Sequence, residues 1–220
     1  MNKIGNIYLT WRKSRGDRRI IVGVIRRNQI DGVRFNYIES GVEEAKKKGF
    51  TPYEGFPDYR TIYNRNVIEI FGQRIIKTER TDTINFYSFW EVENSNLDDR
   101  FYMLAQTQGL LPTDNFEFLA HFRPSKKLNF VTEISGLSHF KLSAGDVNVG
   151  DILSYELEPN NEFDPAAVKV LRLGKSIGYI KTIHSRVFYE VKRILNIQVK
   201  LIEKNGSINR IFIRIFSDSF

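Results

Sequence analysis

Residue types able to do covalent or metal chemistry are sparse in this sequence. Cysteine is absent, which excludes disulfides, thiolate zinc sites and a cysteine nucleophile. The three histidines, His121, His139 and His184, form no pair at metal-ligand spacing. There is no Gly-x-Ser-x-Gly, no Gly-rich phosphate loop and no His-Arg-Asp or Asp-Phe-Gly triplet. Asp98 and Asp99, beside Arg100, read as a helix cap rather than an acid–base pair. No enzyme, metal or cofactor is therefore expected. What the chain does have is non-covalent binding chemistry. It carries 17 Phe and 10 Tyr, more rings than two small cores need, and 33 Lys/Arg against 26 Asp/Glu, a formal charge of +7. Rings on a surface can stack on a ligand or dock a partner, and a basic balance favours a polyanion. Residues 1–125 hold 19 Lys/Arg against 16 Asp/Glu, and residues 126–220 hold 14 against 10, so the second half has the denser positive field.

The elements that must position these groups change in texture along the chain. Residues 4–11, 20–27 and 33–38 read as a three-strand meander, and 40–49 as a short helix capped by Ser40 and stopped by Gly49. Residues 61–76 predict a helix and 82–92 an aromatic strand or helix. Residues 97–120 predict a helix broken at Gly109 and Pro112, then a shorter one. A boundary falls at Phe122–Leu128, where Pro124, Ser125 and two lysines interrupt the apolar pattern. Beyond it come short strands with turn signals, one helix over 184–195 with Val187, Val191 and Ile194 or Leu195 on its apolar face, and a hairpin over 197–216 around Asn205-Gly206. The expected class is α+β: a mixed N-terminal domain, 1–122, then a small β-barrel with one helix, 130–220. Residues 1–19 lack the apolar run of a signal peptide, and no stretch approaches the roughly 18 apolar residues of a membrane span, so a cytoplasmic protein with no membrane partner is expected.

One ordered set of residues carries a resemblance. Gly136, His139 and Phe140 are followed by Glu158-Pro159, Asn161, Phe163, Asp164, Ala167-Val168 and then Gly178-Tyr179-Ile180. In order and spacing, about 90 residues resemble the HIRAN family, which implies an OB-like barrel that holds the 3′ end of single-stranded DNA. The resemblance implies a binding surface of Ser138, His139, Phe140, Asn161, Phe163, Asp164 and Tyr179, with Lys141, Lys169, Lys175, Lys181 and Arg186 as candidate phosphate contacts. A carboxylate such as Asp164 can accept from a terminal 3′-hydroxyl that an internal nucleotide lacks. Asn161 and Asp164 equally suit a turn before a strand. The sequence departs from end-binding members at Ser138, where they carry Arg, at the His139-Phe140 pair, and at Glu162-Phe163, where they carry Pro-Tyr.

Residues 1–120 more loosely resemble the N-terminal subdomain of HipA-type kinases, through the 20–38 strand pair, Phe56-Pro57 and the run Arg74, Ile75, Ile76. That implies a domain able to dock a protein partner, without kinase activity. The basic stretch Arg12, Lys13, Arg15, Arg18, Arg19 reads as a solvated turn or as a phosphate-contacting loop. The reading is a non-catalytic DNA-binding protein, its ligand single-stranded or ended. The alternative is a protein-interaction module of a toxin–antitoxin or defence system.

Overall fold

The computed structural model describes residues 2–14, 16–75, 83–140, 142–143 and 145–217. Two compact units are present: Ile4–His121, and Met1–Lys3 together with Phe122–Phe220.

In the first unit, β1 (Lys3–Trp11), β2 (Ile20–Asn28), β3 (Gly32–Tyr37) and β4 (Phe116–Arg123) form a sheet in the order β3-β2-β1-β4. The first residue of β1 and the last two of β4 are counted with the second unit. The β-branched run of β2 suits a strand buried on both faces. α1 (Glu39–Lys46) is entered directly from β3, and no side chain caps it. Ser40 is thus inside the helix, because extended Ile38 is held to β2 by its N–H donating to Val22 O at 2.9 Å. The helix expected over 61–76 shrinks to α2 (Val67–Phe71) and one 3₁₀ turn (Gly72–Arg74). Asn66 takes a left-handed conformation (φ 53°), and Tyr63 bridges to Phe35 as an isolated strand-like pair. α3 (Thr83–Phe89) settles the aromatic segment as helical. α4 (Arg100–Thr107) is capped by Asp99, whose carboxylate accepts from Tyr102 N at 3.0 Å, and ends at left-handed Gln108. The second helix expected before residue 120 is strand β4. Its apolar run fits either period, and the place beside β1 in the sheet decides it.

The surplus rings go mostly into this unit's core. Phe35 lies 5.0 Å from Phe56 and 5.1 Å from Phe71, and Phe71 lies 5.0 Å from Phe118, centroid to centroid. Arg74 is buried beside them, donating to Gly109 O at 2.7 Å and forking onto Asp114. In the basic stretch, Arg19 is ion-paired with buried Glu117 and Ser14 caps a turn with Asp17, while Arg15 lies outside the described residues. At least part of that stretch is therefore structural.

The second unit pairs six strands in a ring, β10-β5-β8-β7-β6-β9. They are β5 (Asn129–Ser135), β6 (Ile152–Glu158), β7 (Ala167–Arg172), β8 (Lys175–Ile180), β9 (Asn196–Asn205) and β10 (Ser207–Phe216). Two seams are thin. β5 meets β8 only at Ile134↔Ile180 and Ser135↔Tyr179, and β6 meets β9 only at Ile152↔Gln198 and Leu153↔Ile197. The interior is aliphatic with a stacked pair, Phe122 on Phe130 at 4.2 Å, flanked by buried His184. The helix expected over 184–195 is only α5 (Arg186–Glu190). Val191 turns extended (ψ 147°), so the chain can enter β9, and Ile194 is left 80% exposed. Among the described residues, no helix is long and apolar enough to cross a membrane.

Candidate nucleic-acid interface

The chain leaves β5 through Gly136, whose left-handed backbone (φ +78°) starts a single 3₁₀ turn, Leu137–His139. His139 N donates to Gly136 O at 3.0 Å and Phe140 N to Leu137 O at 3.1 Å. A Cβ on Gly136 would lie 3.8 Å from the Tyr179 ring and 3.9 Å from those of His139 and Phe140, so three rings converge on this glycine. Ser138 and His139 are exposed, and Phe140 is half-buried with its ring 6.1 Å from that of Tyr179.

Tyr179 reaches this turn because β8 presses against β5 at Gly178. A Cβ there would lie 2.3 Å from Ile134 Cγ2 and 2.7 Å from Ser135 O, and the backbone is at φ +152°. Only glycine accommodates that approach without displacement.

The loop between β6 and β7 is a chain of side-chain-to-backbone bonds. Asn161 Oδ1 accepts from Phe163 N at 3.0 Å and Asp164 N at 3.2 Å, while its Nδ2 donates to Glu158 Oε2 at 3.0 Å. Asp164 Oδ1 accepts from Ala166 N at 2.9 Å, and its Oδ2 accepts from the Thr182 hydroxyl at 2.8 Å. Two of roughly four acceptor positions on a carboxylate are then used, and the others stay available to a ligand donor. Asn161 is a turn-former, and Asp164 forms the turn with acceptor capacity to spare. Phe163, lifted by this turn, is 73% exposed and is the one exposed phenylalanine among the described residues.

Glu158 links the two surfaces. It pairs with Lys169, bonds Asn161 and is hydrogen-bonded to Tyr179. The Lys169 ammonium holds its carboxyl below the usual range, and Glu158 in return raises Lys169. Burial, with the Glu158 charge beside it, pushes the Tyr179 phenol up. A continuous contact path thus runs Phe140–Tyr179–Glu158–Asn161–Asp164–Thr182. Tyr189 of α5 borders it, donating to Ala167 O at 2.8 Å. Glu158 was visible in the sequence as part of the motif but not as a site residue. Thr182 and Tyr189 carried no signal, since only the fold brings them to the Asp164 loop.

The expected phosphate contacts fare differently. Lys181 is a correction: its side chain is 1% exposed and pairs with Glu133 at 3.4 Å, because its position inside the barrel demands a counter-charge. Lys169 is committed to Glu158, and exposed Lys175 pairs with Asp146 at 3.3 Å. Arg186 is half-buried at the start of α5, and Lys141 lies outside the described residues. The surface around Asp164 is therefore aromatic, hydroxylic and acidic. It can stack a flat ring and accept from a neutral donor, and among the described residues its cations Lys169 and Lys175 are already ion-paired. Among the described residues, no cluster of His, Cys, Asp or Glu could hold a metal ion.

Residues 127–210 match the HIRAN domain family. Among solved structures, the crystal structure of the HIRAN domain of human HLTF is similar at 18% identity. The likeness covers 41% of this chain and 76% of that one, with a TM-score of 0.33. No curated protein matches the chain. The family match does not extend to residues 1–126, so the resemblance to HipA-type kinases gains no support from it.

Proposed function

We propose that the C-terminal unit is a non-catalytic nucleic-acid-binding domain that takes single-stranded DNA by its 3′ end. The observation that carries this reading is where the family match falls: residues 127–210 contain both the ring-lined turn at Gly136 and the Asp164 loop. Exposed rings of His139 and Phe163 offer faces for bases, each stack being worth roughly 1–3 kcal/mol. Asp164, oriented by Thr182 and Ala166, accepts from the terminal hydroxyl. The acidic character around it favours that hydroxyl over a phosphate at the end. Ser138 brings no guanidinium, so end recognition rests on Asp164 and the rings. Fluorescence anisotropy with free and 3′-blocked single strands tests this. The free 3′-hydroxyl should bind tighter, Asp164→Ala should abolish that difference, and Phe163→Ala should weaken both strands about tenfold or more. Equal affinity for free and blocked ends would overturn the end-reading.

A further inference from the structure

If phosphates are not held beside Asp164, they must be held elsewhere, and the same unit has a place for them. A cleft of about 310 Å³ is lined by the connection from β4 to β5 (Pro124, Ser125, Lys126), by the segment after α5 (Val191, Lys192, Arg193) and by Ser217. Glu190, its acidic wall, is engaged by Arg123 with both carboxylate oxygens at 3.4 Å. Lys126, Lys192 and Arg193 are exposed and make no ion pair among the described residues. The Ser125 hydroxyl is buried at the cleft wall and finds no hydrogen-bond partner among the described residues. Three cations and an idle hydroxyl around one concavity suit a tetrahedral oxyanion.

Its position along the barrel completes the argument. Ser217 Oγ accepts from Leu128 N at 3.2 Å, so the cleft adjoins the start of β5. The Gly136 turn follows the end of β5. At about 3.3 Å per residue, the strand Asn129–Ser135 separates the two by about 20 Å. At the duplex rise of about 3.4 Å per nucleotide, the cleft and the Gly136 turn are about six nucleotides apart, and fewer for a stretched strand. On the other side, Glu190 of the cleft follows Tyr189, whose hydroxyl donates to Ala167 O next to the Asp164 loop.

We propose that this cleft is a second site on the domain, holding a backbone phosphate of the strand whose end lies at Asp164. The proposal rests on the DNA-end reading above. It divides the labour: the Asp164 surface reads the terminus, and the cleft supplies charge several nucleotides inward.

The test uses the full chain and two single strands with free 3′ ends, about 3 and about 12 nucleotides long, since only the longer spans both places. Lys192→Glu/Arg193→Glu should lower affinity for the longer strand about tenfold and flatten its salt dependence by about 0.7 in log–log slope per phosphate lost. The shorter strand should be unaffected. Lys47→Glu/Lys48→Glu, the same charge change on the other unit, should alter neither. Equal affinity of the cleft variant for the longer strand overturns the proposal. So does an equal loss in the Lys47/Lys48 control, which would mean a long-range field rather than a site. Inorganic phosphate that binds without competing with the longer strand would assign the cleft to a free anion and overturn it too. If neither strand binds the unmodified chain, the parent reading fails first, and the result is distinguishable because the variants are then irrelevant.

Discussion

Gly178→Ala isolates the contact that brings Tyr179 to the Gly136 turn. The new methyl would arrive 2.3 Å from Ile134 Cγ2 and 2.7 Å from the Ser135 carbonyl oxygen. The isoleucine can rotate, but the carbonyl is backbone, so β8 must move away from β5. Their seam holds only two residue pairs, and both residues of β5 in it are those the methyl strikes. Overpacking costs about 1–3 kcal/mol, and the left-handed backbone adds strain of about 1–3 kcal/mol. The sum, about 2–6 kcal/mol, is large against a total stability of about 5–15 kcal/mol. At about 4–8 °C per kcal/mol for a unit of this size, the melting temperature should fall by at least about 8 °C. Gly174→Ala is the control: its φ of +78° carries strain, but nothing lies within 4 Å of the added carbon. Thermal unfolding by circular dichroism compares the two, and anisotropy well below the transition asks whether end preference goes with the seam. If both variants melt within about 2 °C of each other, the close approach of β8 to β5 is not what holds Tyr179, and the reasoning fails.

Two further outcomes follow from the charged pairs. Glu133→Ala would strip the carboxylate from buried Lys181 and from Arg210, which donates to it at 2.9 Å, and should cost about 3–5 kcal/mol in thermal or urea unfolding. Lys181→Met leaves the Arg210 pairing in place and should cost clearly less, and the reverse order would disprove the assignment. Glu158 should titrate below its ordinary 4.5 by carboxyl carbon NMR and rise toward it in Lys169→Met. Because its folded value is the lower one, the stability it lends is complete above about pH 4.5 and is lost as the pH falls through the folded value. Lys169 has the opposite sign: its contribution holds below its ordinary 10.5 and fades as the pH rises through the higher folded value. An unshifted Glu158 would remove the link between the two halves of the surface.

The barrel strands were legible because alternation, glycines and Asn205-Gly206 mark them locally, and the observed hairpin turns at Gly206 (φ +73°). His139 and Phe163, both members of the motif, are exposed. β4 was not legible, because a run buried on both faces has no period to betray it. The same limit applies to Lys181, since alternation in β8 says which residues point inward, but not that the residue beyond its end stays inside and meets Glu133. The pairing of Lys169 with Glu158 and of Lys175 with Asp146 was hidden for the same reason: a sequence shows charges and not their partners.

The ring of strands also sets an order of events during synthesis. β5 is flanked by β8 on one side and by β10 on the other, and its pairing with β10 runs from Phe212↔Glu133 to Phe216↔Asn129. The ribosome therefore finishes β5, β8, β7, β6 and β9 before the strand that covers the outer edge of β5 exists. Until residue 216 emerges, that edge, with Phe130, Val131 and Ile134 along it, is an open template for pairing with a neighbouring chain. Any variant that delays or weakens the docking of Ser207–Phe216 therefore exposes that same edge.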